Sequence, residues 1–198
     1  MINVPKYDKK DRKKTFEQLP KGAYVCKILN LEEASSKKGQ NMIKISFDIA
    51  EGEHKDFYMN QYKANTSEDK KWSYDAIIYL VIPYDGCDAF ITENWATFWA
   101  NVEDSNNGYV FAGDEKATVG KTFGGVFRIE QTQSDKGYIY DHTRLAYTCE
   151  AQKVRDGKTK PAKDKLVTSS SNLSNAPKTA SSDGFIDLPQ GAEDYPWK

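Results

Sequence analysis

The sequence predicts a mainly β protein: an OB-fold-like, five-stranded Greek-key barrel with one helix between strands 3 and 4, followed by a disordered C-terminal tail. Three observations predict it. Ile43, Ile45, Phe47 and Ile49 alternate with Lys44, Ser46 and Asp48, the period-two signature of a strand with one buried face. Farther on, Phe90, Trp95, Phe98, Trp99 and Val102 recur at helical spacing. The last thirty or so residues begin as a run of Ser, Thr, Asn, Ala, Lys and Pro that cannot bury enough apolar surface to fold. An open α+β sheet of five strands and one helix fits the same element order.

The elements follow in turn. Residues 22–34 start after Pro20 and mix aromatic, β-branched and alternating apolar positions, which makes a long first strand. Residues 35–40 are polar and contain Gly39, a hairpin loop leading into the second strand. Glu51-Gly52-Glu53 turns the chain, and residues 57–63 read as the third strand, with Phe57 and Met59 opposing Tyr58 and Tyr62. Residues 64–86 stay ambiguous, because the apolar run 77–82 suits a strand or a helix before Pro83 ends it. The helix follows, with Thr92 as its expected N-cap and Asn106-Asn107-Gly108 as its stop. Residues 109–117 read as loop. Residues 120–131 and 138–151 form the last two strands, joined by the turn Ser134-Asp135-Lys136-Gly137. Gly124-Gly125 marks a bulge or a close backbone approach.

The domain plan is then a basic N-terminal arm (1–14), an OB-like body (15–152), a flexible linker (153–184) and a tip (185–198). The overall charge of −1 hides a separation. Lys6, Lys9, Lys10, Arg12, Lys13 and Lys14 cluster near the start, and Lys153, Arg155, Lys158, Lys160, Lys163 and Lys165 cluster after the body. Acids at the tip offset them, so the sum says little and the local patches say more. Cys26, Cys87 and Cys149 lack metal or disulfide spacing and read as small apolar residues of a reducing cytoplasm. No apolar run reaches the length of a membrane span, and the start has no leader-like apolar region, which predicts a soluble intracellular protein.

No catalytic constellation emerges, and neither a cofactor nor a metal is expected. His54 and His142 stand outside nucleophile and metal motifs. Glu32-Glu33 point to opposite faces of a strand and make a poor carboxylate pair. Gly120-Lys121-Thr122 lacks the upstream glycine of a phosphate loop, and a strand follows it instead of a helix.

Binding chemistry is better represented. An OB barrel holds single strands across its second and third strands, gripped by the first and last hairpin loops. The candidate DNA-binding residues are Lys37 and Lys38 on the first loop, Lys44 on strand 2, and Tyr58, Tyr62 and Lys63 on the expected strand 3. Trp72 stands beside Lys70 and Lys71, Lys136, Tyr138 and Tyr140 lie on the last hairpin, and Arg128 and Arg144 on its strands. Cations neutralise phosphates and aromatic faces stack bases with little regard to sequence. Trp95, Phe98 and Trp99 read as core.

The final residues, FIDLPQGAEDYPWK, carry a second binding signature. Phe185, Ile186, Leu188, Tyr195, Pro196 and Trp197 are interleaved with Asp187, Glu193 and Asp194, the make-up of a peptide whose apolar groups fill a partner's pocket while its acids meet a basic rim. This segment resembles the C-terminal tip of bacterial and phage single-stranded-DNA-binding proteins, which end in an acidic stretch and a Pro-aromatic pair; here Lys198 follows the aromatic. The body adds a second resemblance: QLPKGAYVCKIL, KISFDIAEGEHKDFY, VEDSNNGYVF, VGKTFGGVFRIEQ and TRLAYTCEAQKVRDGK are similar to small phage-encoded proteins of DNA-replication gene clusters, regarded as OB-type single-stranded-DNA-binding proteins. The resemblance spans residues 15–166. It implies a non-catalytic protein of the host-cell cytoplasm that coats single-stranded DNA and recruits replication or recombination proteins through the tip, with homo-oligomerisation left open. The tip is also expected to compete with DNA for the basic groove. The rival expectation is an adaptor of the same complexes whose barrel binds protein and not DNA.

Overall fold

The computed structural model describes residues 17–167. Its centre is one antiparallel sheet of five strands: β1 (Gly22–Ser35), β2 (Asn41–Ile49), β3 (Ile77–Val81), β4 (Thr122–Gln133) and β5 (Ile139–Cys149). Their order across the sheet is β3-β2-β1-β4-β5. With helix α2 (Ala89–Asp104) lying between β3 and β4 in the chain, this is the mainly β, OB-like arrangement expected from the sequence. The ladder is open between β3 and β5. Side chains bridge that gap: Asp75, in the short 3-10 turn Tyr74–Ala76 that leads into β3, lies 3.4 Å from Arg144 and 3.8 Å from His142 on β5.

β1 is long because it serves two partners. Its first part, Gly22 to Lys27, pairs with β4, and from Cys26 to Ser35 it pairs with β2. Within the β2 pairing lies a bulge: Ile28 faces Phe47 and Asn30 faces Ser46, so Leu29 is left over. The extra residue resets the alternation, and Ile28 and Leu31 both reach the core. On β2 the expected alternation is present, with Ile45, Phe47 and Ile49 fully buried and Ile43 packed at the core's edge. The first hairpin turns where expected, at Gly39 with φ +78°.

The chain departs from expectation at 57–63. This segment is helix α1 (Phe57–Ala64), not a strand, and the third strand is the apolar run at Ile77–Val81. The cause is a carboxylate placed by β2. Asp48, on the side of the strand expected to face solvent, is 1% exposed. It accepts hydrogen bonds from the backbone N–H groups of Ile49 (2.8 Å), Tyr58 (2.9 Å) and Met59 (2.9 Å). Two of these donors belong to the first turn of α1, which has no intrahelical partners for them. Asp56, next to the helix, sits at φ +56° and caps nothing with its own side chain. Burial raises the Asp48 carboxyl above the ordinary carboxylate range, and the three N–H bonds oppose that rise.

Helix α2 begins earlier than expected. Its N-cap is Asp88, whose carboxylate accepts from Phe90 N–H at 2.8 Å, so Thr92 lies inside the helix. The helix buries Phe98, Trp99 and Val102 and packs on β3, β4 and β5. Residues 109–117, expected as loop, include the start of a short helix α3 (Glu115–Thr118), capped by Asp114. At Gly124 a Cβ would sit 2.7 Å from Cys149 Sγ and 2.8 Å from the Glu150 carbonyl oxygen, so Gly124-Gly125 is a close approach of backbone to its neighbours.

The body also extends past its expected end. Residues 151–167, most of them assigned to the linker from the sequence, pack against the sheet. Helix α4 (Ala151–Arg155) follows β5, and Arg155 grips Glu51 through two nitrogens at 2.7 and 3.1 Å. Asp164 accepts from Lys21 Nζ (2.6 Å) and from Ile129 N–H (3.0 Å). Lys165 exchanges backbone hydrogen bonds with Ile129 and Gln131, covering the edge of β4 beyond its pairing with β1. The charged, Gly- and Pro-containing composition of this strap resembles a linker; its anchoring by Asp164 is a tertiary effect. The basic arm, the rest of the linker and the tip with Phe185, Ile186, Asp187, Leu188, Glu193, Asp194, Tyr195, Pro196 and Trp197 lie outside the described residues.

Candidate nucleic-acid interface

The register places a continuous strip of charged and aromatic side chains across the sheet. On β1 and β2, Glu32 stands opposite Lys44 and bonds its ammonium at 3.0 Å. Lys44 stands in turn opposite Tyr79 on β3. The Tyr79 ring lies 6.3 Å from that of Tyr74, and the Arg144 guanidinium lies 4.6 Å over the Tyr74 ring. Arg144 pairs across the last ladder with Arg128. Tyr74 and Tyr79 are partly exposed. Tyr79 stands on the side of β3 opposite the core-facing Ile78 and Leu80, with the Tyr74 ring of the preceding turn beside it.

Each cation of this strip has an acidic neighbour. Lys44 has Glu32 at 3.0 Å, Arg144 has Asp75 at 3.4 Å and Arg128 has Glu130 at 3.7 Å. Glu130 also lies 3.7 Å from Lys165. His142 sits between Asp75 and Thr132 Oγ1, the latter at 3.1 Å. The strip thus offers flat π faces and guanidinium planes with little net charge of its own.

Two hairpins lie at the rims. Lys37 and Lys38 are exposed at the β1–β2 turn. At the β4–β5 turn, Lys136 precedes Gly137 (φ +82°), and Tyr138 and Tyr140 project with 64% and 51% of their surface exposed. Lys44, Arg128 and Arg144 therefore fall on the strip, and Lys37, Lys38, Lys136, Tyr138 and Tyr140 on its rims.

The other sequence-derived candidates fall elsewhere. Tyr58 is 3% exposed and packs edge-on against Phe47 and Phe57. It is a core residue, which corrects its reading as a stacking face. Tyr62 and Lys63 lie on α1 and not on a strand. Tyr62 packs 5.8 Å from Trp72 and under the ammonium of Lys70 (4.8 Å). Trp72 donates its indole N–H to the Ala76 carbonyl at 3.2 Å and rests against the core, forming with Tyr62 a separate half-buried cluster.

Sequence reasoning missed Tyr74 and Tyr79 because it put the third strand twenty residues too early. The signal was present: FYMNQYKA contains no β-branched residue, whereas IIYLV is rich in them and carries one polar-tipped aromatic at its centre. Trp95, Phe98 and Trp99 are in or against the core as expected. Burial raises the thiol pKa of Cys26 and Cys149, which sets both against nucleophilic roles. Among the described residues no three His, Cys, Asp or Glu side chains gather as a metal site, and no helix is long and apolar enough to cross a membrane.

Fold and site define a mainly β protein of OB-like topology with an aromatic and cationic strip on the outer face of its sheet. The chain is similar to a family described as "Protein of unknown function (DUF669)", which matches residues 5–85. The match runs from the basic N-terminal segment through β1, β2, α1 and β3 and stops before α2. No curated protein matches the chain.

Proposed function

We propose that this chain is a non-catalytic single-stranded-DNA-binding protein that holds the strand across the outer face of β1, β2 and β3. The observation that carries the reading is the strip Lys44–Tyr79–Tyr74–Arg144, with exposed lysines and tyrosines on the hairpins at its two rims. Base stacking supplies about 1–3 kcal/mol per aromatic face and is tolerant of sequence. Residues 17–167 contain 20 Lys and Arg against 23 Asp and Glu. Affinity must then come from local stacking and local cations, not from a generally basic surface. The setting, replication or recombination of phage DNA with partners recruited by residues 185–198, rests on the sequence resemblance.

Fluorescence anisotropy with a labelled single strand and its duplex, at two salt concentrations, tests the reading. Tighter binding of the single strand, falling linearly with salt in log–log form, supports it. Equal affinity for duplex, or no binding at low salt, favours the adaptor whose barrel binds protein, a reading that the net acidic body also suits.

A further inference from the structure

We infer that Glu32, Asp75 and Glu130 are built-in counter-ions of the strip, holding its cations until phosphates displace them and thereby setting its affinity and salt response. The inference rests on the reading of the strip as the DNA interface. Three features support it. First, the pairing is complete along the strip: Lys44 with Glu32, Arg144 with Asp75, and Arg128 with Glu130. Second, the pairs reach solvent to different degrees: Lys44 and Glu32 are 31% and 50% exposed, Arg144 and Asp75 17% and 27%, and Arg128 and Glu130 20% and 18%, so Lys44–Glu32 is the pair most open to exchange. Third, Asp75 and Glu130 each lie between two basic groups, Asp75 between Arg144 and His142 and Glu130 between Arg128 and Lys165.

The physical consequence differs from that of an unpaired basic groove. When a phosphate takes Lys44 from Glu32, the duty of neutralising Glu32 passes to a cation from solution. The ions released from the nucleic acid are then partly offset by ions taken up at the carboxylate. Net ion release falls below the number of phosphate contacts, and binding is weaker and less salt-sensitive than the cations alone would give. Half-exposed ion pairs such as Lys44–Glu32 add little to stability, so removing the acid alters binding far more than folding.

The test uses the full chain and a labelled oligothymidine strand. Glu32→Gln and Glu130→Gln should each bind roughly three- to ten-fold tighter at low salt, with a log–log salt slope steeper by about 0.7, the value per phosphate on a single strand. Glu93→Gln, on the exposed side of α2, makes the same charge change away from the strip and should leave both quantities unaltered. Unchanged melting curves verify folding, and Glu32→Gln alone decides the outcome should Glu130→Gln fold poorly. Wild-type affinity and slope in both variants would overturn the inference while leaving the DNA reading intact. So would equal tightening by Glu93→Gln, which would mean a general charge effect. Absence of wild-type binding at low salt would remove the reading itself, and the inference with it.

Discussion

Tyr58 and Tyr79 are both tyrosines near a strand of the same sheet, yet they occupy opposite sides of it. Tyr58 comes up from α1 beneath the sheet, between Phe47 and Phe57, and its hydroxyl is buried without a hydrogen-bond partner. Tyr79 stands on the outer face beside Lys44, within ring distance of Tyr74. The difference teaches that aromatic content says nothing about binding until the face is known. In this fold the face is set by which segment becomes the third strand.

The strongest way to break the comparison is Tyr58→Ala. Losing a buried aromatic of this size costs about 3–5 kcal/mol, read as a large drop in melting temperature. Tyr58→Phe should keep or slightly raise stability, because it removes a polar group that is buried unpaired. A Tyr58→Ala protein that melts normally but loses DNA would restore the functional reading of this residue.

Asp48→Ala should come next, costing about 2–3 kcal/mol by orphaning the N–H groups at the start of α1. Its pH dependence has a distinct sign. A carboxyl that holds its proton more tightly folded than unfolded loses stability as pH rises from the ordinary carboxylate range through its raised value. Glu51, bonded to Arg155, and Asp164, bonded to Lys21, are shifted down. Their contributions hold above the ordinary range and are lost as pH falls through the lowered values. Melting temperature followed from neutral to acid should therefore hold or rise before it falls. Asp48→Asn should flatten the upper arm of that curve.

Tyr79→Ala and Tyr74→Ala sharpen the comparison from the other side. Each should leave the melting temperature nearly unchanged while weakening single-strand binding by about 1–3 kcal/mol. A severe loss of stability would place these rings with Tyr58 and not on an interface.

The smallest effect concerns thiols. Cys26 and Cys149 should react with a maleimide far more slowly than Cys87 in the native protein, because both are buried and harder to ionise. Mass spectrometry of partly labelled protein gives the order. Fast labelling of Cys149 would indicate that the contact at Gly124 opens readily.

Much of this fold was legible in the sequence where the determining information is local. Alternation from Ile43 to Ile49 defines β2, glycine at positive φ marks the hairpin tips, and the Phe98–Trp99–Val102 stripe defines the buried face of α2. What was not legible depends on residues distant in the chain. Helix α1 is capped by Asp48 ten residues earlier, and its short pattern fits either period, which leaves its lack of β-branched residues as the one local sign of helix. The strap at 156–167 looks like linker until Asp164 is seen to meet Lys21 across 143 positions. For the candidate site, Lys44, Arg128 and Arg144 fall on the strip because their strands were correctly placed. Tyr74 and Tyr79 were missed with the strand that carries them.

Leu29 carries a consequence out of proportion to its size. As the unpaired residue of the β1 bulge, it acts as a phase marker that fixes which side chains of the strand's second half look outward. Deleting it would close the bulge and leave Asn30 opposite Ser46 and Leu31 opposite Ile45, whereas inserting a residue after it would shift the frame of everything up to the hairpin. Asn30 and Glu32 would turn inward and Leu31 outward, exchanging a greasy lining for a charged one. The sequence of the outer face is thus free to drift by replacement but is closed to single-residue insertion between the bulge and the turn. Variation in the length of this protein should be confined to this bulge, the loops and the ends.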